Sequence, residues 1–179
     1  MAGHSHWAGI KHKKEEKDQK RGVLFSKLLK AISAAAQKET DPNFNPRLRT
    51  AIKKAEEASV PEENIKRAIN KASIENSDLE ELLFESYGPG GVALLISVIT
   101  SSHNRSVSEI KKILNDHGAK WAEPGSVIWI FEDVGLGKKP RAKFFQNISD
   151  NDLKLLKVLL LELYKNDDVF DVYSNTKLE

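Results

Sequence analysis

The chain has 179 residues, 40% hydrophobic and 30% charged, the balance of a soluble globular protein that can bury a core in one domain or two small ones. It contains no cysteine, which excludes a disulfide framework, a thiol nucleophile and a thiolate zinc site. The formal charge of +2 conceals a division: residues 1–54 carry 13 Lys and Arg against 5 Asp and Glu, while residues 55–179 are net acidic.

The first thirty residues concentrate that positive charge. Seven lysines and one arginine face only Glu15, Glu16 and Asp18, and the stretch also holds three of the five histidines and one of the three tryptophans. Positive charge holds polyanions, and an indole or imidazole face can stack on an unpaired base. Residues 1–21 are therefore read as a basic arm directed at nucleic acid.

Residues 22–39 predict a helix, because Phe25, Leu28, Leu29, Ile32 and Ala36 recur at spacings of three and four. Pro42 and Pro46 forbid its continuation, and Asn45 is placed to cap a second helix over 46–58 with Pro46 in its first turn. Pro61, Glu62 and Glu63 open a third helix, whose stripe is Ile65, Ala68, Ile69 and Ala72. These three form a helical domain over 22–77, ending in a polar linker.

From residue 78 the period changes. Residues 80–87 predict a strand, Gly88-Pro89-Gly90-Gly91 a turn, and the Val- and Ile-rich run 92–100 a strand covered on both faces. Ser106-Val107-Ser108-Glu109 has the form of a capping box for a helix ending at Gly118. Residues 126–131 and 142–146 predict strands, 151–165 a helix capped by Ser149 or Asp150, and 168–173 a closing strand. Counted from residue 92, the order is strand-helix-strand-strand-helix-strand. The fold class expected is α+β: a three-helix domain followed by a ferredoxin-like α/β sandwich over 78–179, with one extra strand in front.

No catalytic constellation emerges. Ser102, His103 and Asp116 lack a nucleophile elbow, and neither Gly88-Pro89-Gly90-Gly91 nor Gly135-x-Gly137 has the Lys-Ser/Thr ending of a phosphate loop. His4, His6 and His12 could gather a metal in principle, but no fourth ligand stands at a recognisable spacing and the lysines oppose a cation. His103-Asn104-Arg105-Ser106 lies where a strand hands over to a helix N-terminus, a place that can receive an anion. The apolar runs 92–99 and 158–161 are too short for a bilayer, and the opening residues hold no signal-peptide run. The expected setting is the cytoplasm, with no membrane, no cofactor and a monomeric chain.

Several collinear stretches carry a resemblance. They are the arm from His4 to Arg21; Asp41-Pro42-Asn43-Phe44-Asn45-Pro46-Arg47-Leu48-Arg49; Tyr87-Gly88-Pro89-Gly90-Gly91; Asn104-Arg105-Ser106; Gly125-Ser126-Val127; and Asp167-Asp168-Val169 ahead of Val172-Tyr173. Together they resemble the YebC/PmpR family, described as bacterial transcriptional regulators that bind DNA and including a mitochondrial translational activator. Resemblance implies a helical first domain, a ferredoxin-like second domain and a third domain inserted in the second. Here only 132–143 separates the flanking strands, so that third domain is expected to be absent, and Ser101-Ser102-His103 stands where the family carries Asp-Asn-Arg.

The expected function is a non-enzymatic, nucleic-acid-binding regulator of gene expression acting on DNA, with a ribosome-associated translation factor as the alternative within the same family. The residues assigned to nucleic acid are His4, His6, Trp7, Lys11, His12, Lys13, Lys14, Lys17, Lys20, Arg21, Lys27, Arg47, Arg49, Lys53 and Arg105. A reading from another class, a small-molecule sensor, rests on fold analogy alone.

Overall fold

Helix α1 (Lys17–Ala36) is the element on which both halves of the chain pack, in a computed structural model that describes residues 17–74, 78–135 and 139–178. It starts ahead of the predicted residue 22, so Lys17, Lys20 and Arg21 belong to its first turns and not to an arm. Two faces of α1 are buried. Leu28, Ile32, Ala35 and Ala36 meet Leu48 and Ala55 of α2 (Pro46–Glu57) and Ile65, Ala68 and Ala72 of α3 (Glu62–Ile74). Ala31 and Ala34 point the other way, against the sheet at Ile99. Small residues on that second face let the helix approach closely.

Asn45 closes the turn between α1 and α2 from both sides. Its Oδ1 accepts from the Leu48 N–H at 3.0 Å, capping α2, and its Nδ2 donates to the carbonyl of Ala35 in the last turn of α1 and to that of Glu39 beyond its end. Pro46 follows in the first turn, where its missing N–H costs nothing.

The second half contains β1 (Glu80–Tyr87), β2 (Ala93–Thr100), α4 (His103–Asp116), β3 (Lys120–Ala122), β4 (Phe131–Glu132), β5 (Arg141–Ala142), α5 (Asp150–Lys165) and β6 (Val169–Ser174). Four strands form one sheet in the order β3-β1-β2-β6, every neighbouring pair antiparallel. Residues Leu94, Ile96 and Val98 of β2 face α4 and α5, where they meet Ile110, Leu114, Leu156, Leu159 and Leu163. Ala93 and Leu95 face the opposite side, covered by Val127, Ile130 and Phe131. Each of these Leu and Ile side chains contributes about 1.5–3 kcal/mol by leaving water, so β2 is the natural centre of the domain.

The α+β class and the order of domains follow the sequence reading; some strand assignments change. The extra strand in front, β1, is a central strand of the sheet, paired with β2 and β3. Residues 126–131 do not form a strand: Ile128–Ile130 is a 3-10 turn, and only Phe131–Glu132 is extended, paired with Arg141–Ala142 in a separate two-stranded ladder. The cause is Glu85 of β1. Its carboxylate accepts from the N–H groups of Gly125, Val127 and Ile128 at 2.6, 2.6 and 2.9 Å, which folds that segment under the sheet. The edge position falls instead to Lys120–Ala122.

Helix α4 begins at His103 with Ser102 as its cap residue, so Ser106 is not the cap that the capping-box pattern indicates. Ser106 is buried inside the helix and turns its hydroxyl toward β6. Gly118 does adopt the left-handed conformation expected after the helix, at φ 69°, and Ser149 caps α5 by accepting from the Asp152 N–H.

Candidate nucleic-acid interface

His4, His6, Trp7, Lys11, His12, Lys13 and Lys14 lie outside the described residues. Lys17 and Lys20 are carried on the first turns of α1, a helical spacing that places them about one turn apart. Arg21 is exposed, with its guanidinium 5.1 Å from the centre of the Phe25 ring one turn later.

Lys27 is a correction to the sequence reading. It is 6% exposed and donates to the carbonyls of Tyr164 at 2.6 Å and Asn166 at 3.0 Å, at the end of α5. They lie at the C-terminal end of α5, the negative end of its dipole, so a cation is well placed there. Burial pushes the Lys27 ammonium down to about 8, against an opposing pull from Asp167. It closes a helix end and is withdrawn from any phosphate surface.

One turn further along α1, Lys30 donates to Asp168 Oδ1 at 2.6 Å. Asp168, 4% exposed, also accepts through Oδ2 from Arg105 at 2.8 Å, Ser106 at 2.7 Å and Thr100 at 3.1 Å. Four elements, α1, β2, α4 and the loop before β6, thus meet on one carboxylate. Burial by itself would raise its proton affinity, but the hydrogen bonds from Lys30, Arg105 and Ser106 outweigh that and hold the carboxyl well below the usual range. Arg105 has therefore a partner inside the protein, although half of its side chain remains exposed. The sequence singled out Arg105 and missed the acid that holds it, because their pairing spans 63 positions.

Helix α2 divides its cations between two surfaces. Arg47 pairs with Glu81 of β1 and lies, with Lys54, along a cleft of about 200 Å³ between the helical domain and the sheet. Lys54 stands 5.6 Å from the centre of the Phe170 ring, and burial lowers its proton affinity. Lys53 and Arg49 face outward, one helical turn apart. Arg49 also donates to the Pro42 carbonyl, which steadies the loop before α2. Of the predicted set within the described side chains, Arg21, Arg49 and Lys53 stand on exposed surface, Arg47 and Arg105 are ion-paired, and Lys27 is internal.

Residues 5–75 match the family model described as the TACO1/YebC protein N-terminal domain, and residues 79–147 the model described as the TACO1/YebC second and third domain. The chain belongs to the TACO1/YebC family. A TACO1/YebC relative from Aquifex aeolicus, named a probable transcriptional regulatory protein, is 40% identical over 179 residues, covering 97% of this chain and 70% of its own. Another of the same name, from Solibacter usitatus, is 49% identical over 134 residues, covering 74% of this chain and 54% of the relative. The chain thus spans about half the length of some curated TACO1/YebC relatives it matches. The crystal structure of a conserved hypothetical protein from Aquifex aeolicus is similar with a TM-score of 0.81 at 31% identity, covering 97% of each chain.

Proposed function

We propose that this chain is a non-enzymatic regulator of gene expression that binds nucleic acid through its basic front, with duplex DNA as the first target to test. The observation that carries this reading is the way the basic residues divide. Lys27 and Lys30 are consumed at the junction of the domains, while Arg21, Arg49 and Lys53 remain on exposed surface of the half that holds the whole cationic surplus. The names of the relatives support the regulatory role. Lys11, Lys13, Lys14, Lys17, Lys20 and Arg21 would neutralise phosphates, Trp7 and His12 would stack or donate, and α2 would extend the surface through Arg49 and Lys53. Phosphate contacts of this kind fix position and orientation without reading sequence.

The test is affinity for promoter DNA as a function of salt, measured beside co-sedimentation with ribosomes. Changing Lys13, Lys14 and Lys17 together to glutamate is expected to abolish binding and flatten the salt slope. Unchanged affinity would remove the front from the mechanism. Ribosomal RNA presents the same phosphates as DNA, so sedimentation with ribosomes, without sequence preference on DNA, moves the target to the translation machinery.

A further inference from the structure

Large aromatic side chains stand exposed on the acidic half of the chain, and the function proposed above gives them no role. Trp129 is 58% exposed, Phe144 59%, Phe145 62% and Tyr87 37%. Exposed rings in this number ordinarily mark a contact surface. Trp129 and Phe144 lie with ring centroids 6.4 Å apart and planes tilted by 53°.

The hydrogen bonds around them define what such a surface can bind. The Trp129 indole N–H donates to the Ser126 carbonyl at 2.9 Å, and the Tyr87 hydroxyl donates to the same oxygen at 3.1 Å. The Trp129 carbonyl accepts from Lys143 Nζ at 3.0 Å. The segment is itself pinned by Glu85, whose carboxylate is taken up by three N–H groups. Trp129 is therefore held in place before any partner arrives, and its N–H is already engaged, so it offers chiefly its ring faces. Cations border the rings: Lys143 through the Trp129 carbonyl, and Lys120 directly across the strand pair from Tyr87. The nearby acids Glu132 and Asp133 are paired with Arg141.

Rigid ring faces with ammonium groups at their edge match unpaired nucleotides, whose bases stack while the phosphates meet the cations. The 53° tilt gives two separate faces, each suited to one splayed base, whereas the bases of a duplex are stacked on each other and inaccessible. Position supports the same partner. Tyr87, Trp129 and the turn that carries it lie beneath the sheet face opposite α4 and α5, the face on which α1 also packs, through Ile99. A polyanion held by the helical domain has a second station on the same side of the molecule.

We propose that Trp129 and Phe144, with Lys143 at their edge, form a stacking site for single-stranded nucleic acid. The proposal rests on the nucleic-acid reading above and adds to it that unpaired bases are engaged by the second domain.

The test uses the full chain, with a fluorescein-labelled single-stranded RNA of mixed sequence, the matching single-stranded DNA, and the same DNA annealed as a duplex. Phe144→Ala removes a ring with no hydrogen bond of its own, so it leaves the pinning of Trp129 intact; Trp129→Ala removes the other, and Trp129→Phe keeps a ring there. Stacking is worth about 1–3 kcal/mol per base, so each alanine variant is expected to weaken single-strand binding by roughly tenfold. Duplex affinity and the salt slope should stay within error, and Trp129→Phe should retain most single-strand affinity. Photo-cross-linking from 5-iodouridine placed in the RNA should label Trp129 or Phe144.

Wild-type single-strand affinity in both alanine variants, with cross-links confined to residues before 75, would overturn the stacking site and leave the basic front standing. Equal weakening on single strand and duplex would overturn it too, since stacking on unpaired bases cannot act on both. A wild-type dimer that Trp129→Ala dissociates without changing RNA affinity would reassign the patch to contact between copies. If the wild type binds none of the three nucleic acids, the function proposed above fails together with this site.

Discussion

Asp168, just ahead of the last strand, accepts a hydrogen bond from Lys30 of the first helix at 2.6 Å, across 138 positions of sequence. This bond, with the Lys27 ammonium on the end of α5, ties the helical domain to the sheet domain.

Asp168→Asn should therefore destabilise the whole chain. Removing one member of a buried pair costs about 3–5 kcal/mol, and Lys30 is a quarter exposed and can recover some water, so the loss should fall near the lower end, about 3 kcal/mol. The folded carboxyl titrates below the unfolded one, so its contribution is complete above the unfolded value near pH 4 and fades as pH falls below it. Urea midpoints of wild type and variant should keep a constant separation from pH 8 to 5 and converge in stronger acid. A separation that persists undiminished at pH 2 would count against the clamp.

Lys27 gives a signature at the other end of the pH scale. Its folded value is pushed down to about 8 by burial, from 10.5. Between those values the unfolded chain holds more protons than the folded one, so stability rises with pH across that window. The rise should be missing in Lys27→Met. Parallel stability curves for wild type and variant from pH 8 to 10 would contradict the buried placement. Because this ammonium faces α5, the same variant should bind nucleic acid at pH 7 as the wild type does.

Arg49 and Lys53 carry the opposite expectation. Changing both to glutamate should cost no more than about 1 kcal/mol, the exposed hydrogen bond from Arg49 to the Pro42 carbonyl being lost. Affinity for nucleic acid should fall, and the slope of log affinity against log salt should shrink by about one for each phosphate no longer neutralised. Titrations at two salt concentrations suffice; an unaltered slope would take α2 off the binding surface.

Glu85→Gln tests the pin beneath the sheet. A neutral amide has one acceptor oxygen where the carboxylate has two, so at least one of the N–H groups of Gly125, Val127 and Ile128 loses its partner, at a cost of about 1–3 kcal/mol. Amide hydrogen exchange should quicken at those residues while the amides of β2 remain protected. Uniform exchange across both segments would show that the pin is not local.

Two glycines with nearly the same φ separate strain from crowding. Gly90 has φ 70° and an added Cβ would lie 2.8 Å from Ile148 Cγ2, whereas Gly118 has φ 69° with nothing within 4 Å of that position. Gly118→Ala should cost only the conformational penalty, about 1 kcal/mol. Gly90→Ala should add an overpacking cost of about 1–3 kcal/mol and displace the segment before α5. Melting temperatures of the two variants give the comparison directly; equal losses would mean Ile148 yields freely.

Helices α2, α3 and α5 and strand β2 were legible in the sequence because each carries its own period, caps and stops within a few residues. Asn45 ahead of Pro46, Ser149 ahead of an apolar stripe and the unbroken run to Thr100 act locally and predict correctly. The alternation over 126–131 misled. A strand and a pinned 3-10 turn can both bury apolar residues there, and the deciding Glu85 lies 40 positions upstream of Gly125. Ser106 misled in the same way, since a cap and a buried hydroxyl share one local pattern until Asp168 arrives from the loop before β6.

The basic front, the acidic rear and the α+β class were fixed by composition and period, which need no knowledge of what meets what. Which lysines are free to hold a phosphate was decided only by the tertiary structure. Lys27 and Lys30 differ from Lys53 in nothing that charge or spacing records; Lys27 is buried and Lys30 half-buried and paired because α1 lies between two layers, and its cations there meet a helix end and a buried carboxylate. A charge has a location in the sequence, but its solvation depends on every element packed around it.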